Sequence, residues 1–332
     1  MSIVLNRNRN LDFLKGLMII LVIITHSSFA VSHRDNSPFF SIVVDMAVPV
    51  FMIISGFVNT ASGEKWNGKV FYDKDRLLKK LLRIALPFLP IAIIMTVYRI
   101  VRGNDSLISI IYSIVFQRWG PGGYYPVMMI QFIILFPLLY RVSMTKAGCT
   151  IVLLVNIISE YVFSSGRNMT GIIGTVIIGI HRIIIFRYLG FIVAGILLYR
   201  CKDKLNILWC VVFSTFGLIC VLALNYLFPD KIFSLWRTTS LPVVFWALSW
   251  VIALLLFPVP KEKINHIYKI IETIGKSSYH IMLTQMVYYH LIGDGWFVEP
   301  NLIISIILCC TIGVGFQIID SRNQNKLSRI ET

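Results

Sequence analysis

Charge, and acid above all, is what this chain has least of. Asp and Glu number 16 against 31 Lys and Arg, and charged residues of both signs make up only 14% of its 332 residues, whereas 57% are hydrophobic. A soluble domain covers its surface with about a quarter charged residues, so that class is excluded. No polar stretch is long enough for a separate soluble domain, no low-complexity linker divides the chain, and no internal repeat stands out. Cysteine is sparse as well. The six thiols, Cys149, Cys201, Cys210, Cys220, Cys309 and Cys310, lie in or beside apolar runs without metal-ligand spacing, so they read as small apolar residues rather than a zinc site or disulfide framework. No small-residue cleavage pattern follows the first apolar run, which is expected to act as an uncleaved signal anchor.

What the chain has in abundance is apolar runs of about twenty residues, the length that crosses a hydrocarbon core. They predict an all-α integral membrane protein, one polytopic domain over 1–332, with ten spans at about 11–31, 39–60, 82–101, 124–142, 148–165, 183–199, 206–227, 240–257, 277–293 and 301–319. The net charge of +15 is distributed unevenly: with the N-terminus inside, 22 of the 31 basic residues fall on the cytoplasmic side. The positive-inside rule then places both termini in the cytoplasm and agrees with an even span count. Such charge marks topology and contact with anionic membrane lipids, not a nucleic-acid footprint.

Three connections are longer. Residues 61–81 form a basic cytoplasmic loop whose end reads as an amphipathic surface helix. Residues 102–123 hold SLISIIYSIVF, then Gln117, Arg118, Trp119 and the turn GPGGYY; residues 166–182 are apolar in their middle but too short to cross. These two read as re-entrant or interfacial elements that roof an outer cavity.

The first span carries three titratable side chains where an anchor carries none. Asp12, Lys15 and His26 interrupt LDFLKGLMIILVIITHSSFAV. Lys15 and His26 are eleven residues apart, close to three turns, so they share one helix face about 16 Å apart in rise. An ionisable group at membrane depth marks a functional site by default. Asp12 and Lys15, near the segment's start, equally fit an interfacial i,i+3 pair. His26, deep among Thr25, Ser27 and Ser28, favours function over a structural role. In the second span Pro49 is expected to break the helix in mid-membrane, with Ser55 and Gly56 allowing close helix approach and Asp45 adding a carboxylate. Arg187 falls inside a predicted span, and Asp45 is a candidate partner for it or for Lys15. Tyr124 and Tyr125 fit an interfacial aromatic belt, or stacking on sugar faces. His33, His266 and His290 read as solvated near loops, and His280 as interfacial.

The ordered set of motifs resembles the membrane-bound acyltransferase family 3, polytopic enzymes that O-acylate sugars of bacterial surface polysaccharides. The basic residue, ten residues and histidine of that family's first span appear as Lys15, GLMIILVIIT and His26, with Lys in place of the commoner Arg. Lysine keeps the charge and lacks the bidentate fork. The second span supplies Pro49, Phe51, Ser55, Gly56 and Phe57; the third opens with Lys80, Arg83 and Pro87; Trp119 and GGYYPVMMIQF, with Gln131, resemble the Trp-rich entry to the fourth. Arg182, Arg187, Gly190 and Gly195 resemble the later Arg…Gly helix. Gly275, Ser278, Tyr279 and Leu283 match the Ser-Tyr…Leu-x-His element, with Gln285 where many members carry histidine. The resemblance covers nearly the whole chain and implies the stand-alone form, in a bacterial cell membrane.

Several roles follow from the resemblance. Acyl transfer needs a base, an oxyanion stabiliser and a site for the donor's phosphates. His26 is expected as base or transient acyl carrier, with Lys15 and Asp12 beside it; Arg83, Lys80, Lys79 and Ser55 meet the donor, acetyl-coenzyme A or another acyl-coenzyme A, which is a substrate and not a permanent cofactor. Trp119, Arg187, Arg182, Gln285, Tyr279, Ser278 and Asp45 are expected to face the acceptor, a surface polysaccharide or lipid-linked glycan. No metal is called for. A transporter or flippase of a lipid-linked glycan shares ionisable spans and broken helices. The polar residues here concentrate in the first three spans instead of pairing between two halves.

Overall fold

The computed structural model describes residues 9–33, 37–64, 73–103, 106–116, 118, 120–166, 169, 171–227, 241–257, 265–293, 295 and 298–330. Among these there is no strand, and the chain is an all-α membrane protein. The first helices are α1 (Arg9–His26), α2 (Ser28–His33), α3 (Pro38–Ile42), a 3₁₀ turn (Val44–Met46), α4 (Ala47–Glu64), α5 (Lys74–Arg102) and α6 (Leu107–Val115). There follow α7 (Tyr125–Val142), α8 (Lys146–Gly166), α9 (Gly171–Ile183), a 3₁₀ turn (Ile185–Tyr188), α10 (Leu189–Cys201) and α11 (Ile207–Leu222). The last are α12 (Val244–Leu256), α13 (His266–Lys276), α14 (Ser278–Gly293) and α15 (Leu302–Ile330).

Every predicted span is helical, but they are not all alike. By length and composition six helices among the described residues can cross a membrane, and a seventh if α9 and α10, bent by 46° at their break, count as one. Of the other predicted spans, α1 is loaded with Arg9, Asp12 and Lys15, while α12 and α14 are short. Of residues 166–182, expected as a separate short element, 171–182 lie in α9, the first limb of that bent pair. Pro49 does not interrupt its helix. It sits in the first turn of α4, where no intrahelical donor is needed, and the irregularity lies one turn earlier because the proline ring crowds the carbonyl of residue i−4, Asp45. The helix α13 was not expected; its apolar Tyr268, Ile271 and Ile274 alternate with Lys269, Glu272 and Lys276 at helical spacing, and Asn265 caps it by accepting from Tyr268 N.

Two close helix crossings position everything else. In lipid there is no water to expel, so helices associate by intimate packing, which small residues permit. A Cβ on Gly56 would run into the carbonyl of Ile192, and one on Gly195 into that of Ile53, so α4 and α10 meet backbone to backbone. A Cβ on Gly16 or Gly275 would likewise strike Ile271 or Asp12 main chain, locking α13 across the first half of α1. There Arg9 donates to Glu272 (2.6 Å), Lys276 lies 2.5 Å from the same carboxylate, and Phe13 stacks on Tyr268 at 4.7 Å.

Gly56→Leu is expected to cost at least ~1–3 kcal/mol of overpacking, lowering the thermal midpoint in detergent, whereas Gly315→Leu, where a Cβ meets nothing, leaves it unchanged; equal midpoints would refute the crossing. The hydrogen bond from Arg9, with that of Lys276, holds the Glu272 carboxyl below its usual range. Its stabilisation is therefore present above the ordinary carboxylate range and lost as pH falls through the depressed value. Thermal unfolding of Glu272→Gln should show less acid sensitivity there than the parent protein.

Candidate active site

The face of α1 that holds Lys15 and His26 borders a cavity. Lys15, Ile19, Val22 and His26 recur at steps of four, three and four residues and so lie on one face. Ile19 and Val22 line a small cavity of about 20 Å³, enough for a single water, together with Val48 and Phe51 of α4, Tyr125 of α7, and Ser278, Tyr279 and Met282 of α14. Lys15 and His26 are thus one turn beyond either end of the cavity wall. Lys15 Nζ lies 3.5 Å from the Asp12 carboxylate, itself 2% exposed, so the i,i+3 pair forms. His26 is half-buried at the end of α1, its ring 6.5 Å from that of Tyr289. Beside it Ser28 N–H donates to Glu299 Oε2 at 2.7 Å.

The residues expected to meet the donor divide into two sets. Lys79 and Arg83 are exposed on the first turns of α5. Lys80 donates to Asn59 Oδ1 (2.7 Å), and Asn59 Nδ2 in turn donates to the carbonyl of Ser55 (2.9 Å), so Lys80 and Ser55 are joined through a residue the motifs did not single out. Tyr279 donates to the carbonyl of Ile84 (2.8 Å), tying the cavity wall to the same end of α5.

The outer turn runs down into the protein instead of across its surface. Gly122, at φ 82, packs against Met282 and Gln285, and Gly120 against Met286 and His290. Only glycine fits both the left-handed backbone and the contact with α14. Tyr125 consequently meets Tyr279 at 6.5 Å, not the interfacial belt, and His290 packs on this turn and on Tyr98 instead of facing solvent. Gln285 donates to the carbonyl of Pro121 (3.0 Å) and Arg182 to that of Gly120 (3.4 Å), so both residues expected at the acceptor are engaged in holding the turn. Trp119 lies outside the described residues. Asp45 sits half-buried on the 3₁₀ turn that packs against α1.

A second ionisable cluster surrounds the break between α9 and α10. The Arg187 guanidinium is fully buried, 4.9 Å from the ring centre of Tyr124 and 4.5 Å from that of Tyr188. Glu160 of α8 and His181 of α9 are equally buried and 4.0 Å apart. Neither was singled out from sequence, although Glu160 is the lone carboxylate of its span, the signal that pointed to His26. Asn156 spans the break: its amide donates to the carbonyl of Arg187 (3.4 Å), and its oxygen accepts from Gly190 N (3.0 Å). Gln131 does the same one turn earlier, donating to the carbonyl of Ile183 (2.8 Å) and accepting from Ile185 N (3.2 Å). His280, read as interfacial, pairs with Asp320 of α15 at 3.0 Å.

A family model described as an acyltransferase domain matches residues 8–319 of the chain. No curated protein and no solved structure matches it.

Asn156→Leu strands one donor and one acceptor at the break and is expected to destabilise by ~1–3 kcal/mol. Asn225→Leu removes only a donor to its own helix, at Val221, and should cost far less. Thermal midpoints of the two in detergent check this, and equal losses would show that Asn156 does not hold the break.

Proposed function

The chain belongs to the membrane-bound acyltransferase family 3, and on that footing we propose that it transfers an acyl group, acetyl foremost, from acyl-coenzyme A on the cytoplasmic side to a hydroxyl of a surface or lipid-linked glycan across a bacterial plasma membrane. The observation that carries this reading is the α1 stripe, with Lys15 toward the basic end, His26 toward the opposite end, and a cavity lined in part by Ser278, Tyr125 and Tyr279 between them.

In this reading Lys79, Lys80 and Arg83 attract the donor's phosphates, the first and last as exposed charges and Lys80 as one anchored on Asn59. The acyl-bearing arm passes Lys15 into the cavity, which widens as Tyr125, Tyr279 or Met282 shifts. The acceptor hydroxyl attacks the thioester carbonyl carbon while neutral His26 takes its proton. The tetrahedral oxyanion draws on the hydroxyls of Ser278 and Tyr125, two residues that line the cavity, while the Tyr279 hydroxyl stays on the carbonyl of Ile84. Collapse breaks the carbon–sulfur bond, and the departing thiolate recovers the proton from His26. The same geometry accommodates His26 as a transient acyl carrier, in two steps of the same kind. Arg187, rigid between two tyrosines, then sets the wall on which Tyr124 and Tyr125 are carried, while Asp45 and Trp119 belong to the acceptor's approach.

Transfer of radiolabelled acetyl from acetyl-coenzyme A to surface glycan, in membranes holding the protein or His26→Ala, tests this. The substitution should lower transfer by roughly 10²–10⁴-fold at unchanged protein level. Retained transfer would remove His26 from the chemistry. No label with either protein, with altered export of unmodified glycan, would assign the chain to transport.

A further inference from the structure

Away from α1, the helices α8, α10, α11 and α12 enclose a groove of about 490 Å³. Leu153, Val193, Ala194, Phe213 and Leu248 are among its walls, and Lys204 is the one charged side chain among the described residues that line it. Water has no partners along such a shaft. From Gly190 to Cys201 the groove follows eleven residues of α10, about 17 Å of rise, close to the depth of one leaflet, about 15 Å. It therefore has the length and polarity of a single lipid chain, with its charged end where a headgroup lies.

We infer that this groove binds one acyl chain of an anionic phospholipid, whose phosphate rests at Lys204. Three cations stand on this rim, with Asp203 among them. Arg200 donates to the carbonyl of Ser143 (3.4 Å), and the Lys202 ammonium lies 3.8 Å over the Tyr199 ring. Both are engaged within the protein, which leaves Lys204, exposed and lining the groove, to meet the phosphate. Its apolar stem continues the groove wall while its head stays at the interface. The site shares no lining residue with the cavity on α1, so it stands whatever reaction that cavity supports.

Native mass spectrometry of the detergent-purified full chain, offered phosphatidylglycerol or phosphatidylcholine, tests the inference. One phosphatidylglycerol per chain should survive delipidation, with phosphatidylcholine retained less. Lys204→Gln should lower phosphatidylglycerol retention roughly fivefold, the discrimination one lysine supplies near an anionic surface, and leave phosphatidylcholine unchanged. Ala194→Trp fills the shaft and should abolish retention of both. Equal retention of the two lipids by the parent protein and Lys204→Gln overturns the proposal. So does a parent dimer that Ala194→Trp converts to a monomer, since a second copy then covers the groove. Because Lys204 is exposed, its substitution decides the matter even if Ala194→Trp fails to insert.

Discussion

Out of reach of water, a backbone amide or carbonyl must find a partner within the protein, and this constraint organises the molecule. At four of the places among the described residues where the chain departs from regular helix, a side chain from elsewhere supplies a hydrogen bond to the backbone. Where α1 ends, the carbonyl of Ile23 accepts from the Tyr289 hydroxyl; before α4, that of Ile42 accepts from the Trp246 indole. Gln131 and Asn156 bracket the break before α10, and Gln285 and Arg182 hold the descending turn before α7. Without these, each break would be an unsatisfied polar group in a low-dielectric interior.

These clips have consequences for chemistry. Because the turn before α7 is held down along α14, Tyr125 reaches the cavity bordered by the α1 stripe. Because the chain unwinds before α10, Arg187 leaves the helical path and enters the space between Tyr124 and Tyr188, with Glu160 and His181 nearby. The break at Ser27 brings His26 to the end of its helix, close to Tyr289 and to the Glu299 carboxylate that holds Ser28. Gln285 and Arg182, expected to contact a glycan, hold the backbone that carries the tyrosines.

Much of this was legible where the signal was local. Helical spacing alone set Lys15 and His26 on one face, and two positions between them, Ile19 and Val22, line the cavity. Gly56 was visible as a close-approach point and Gly195 only as part of a motif, and nothing in either run said that the two helices met. The amphipathic pattern of α13 was equally local and was passed over because it abuts the apolar run of α14. Glu160 stood out by the rule that singled out His26, a lone carboxylate in an apolar span, but its companion His181 lies on another helix.

The amino-acid sequence by itself determined the class: long apolar runs and scarce charge admit only a helical membrane protein, and the ordered motifs mark the acyltransferase family. It also marked the glycine-rich turn before α7, since only glycine tolerates its left-handed backbone, but not the breaks at Ser27 and Ile184, which carry neither proline nor glycine. Only the tertiary structure decided what those bends are for. The partners of the broken backbone come from positions as far as 204 and 266 residues away, and hydrogen bonds over that separation follow from helix packing, which no spacing along the chain encodes.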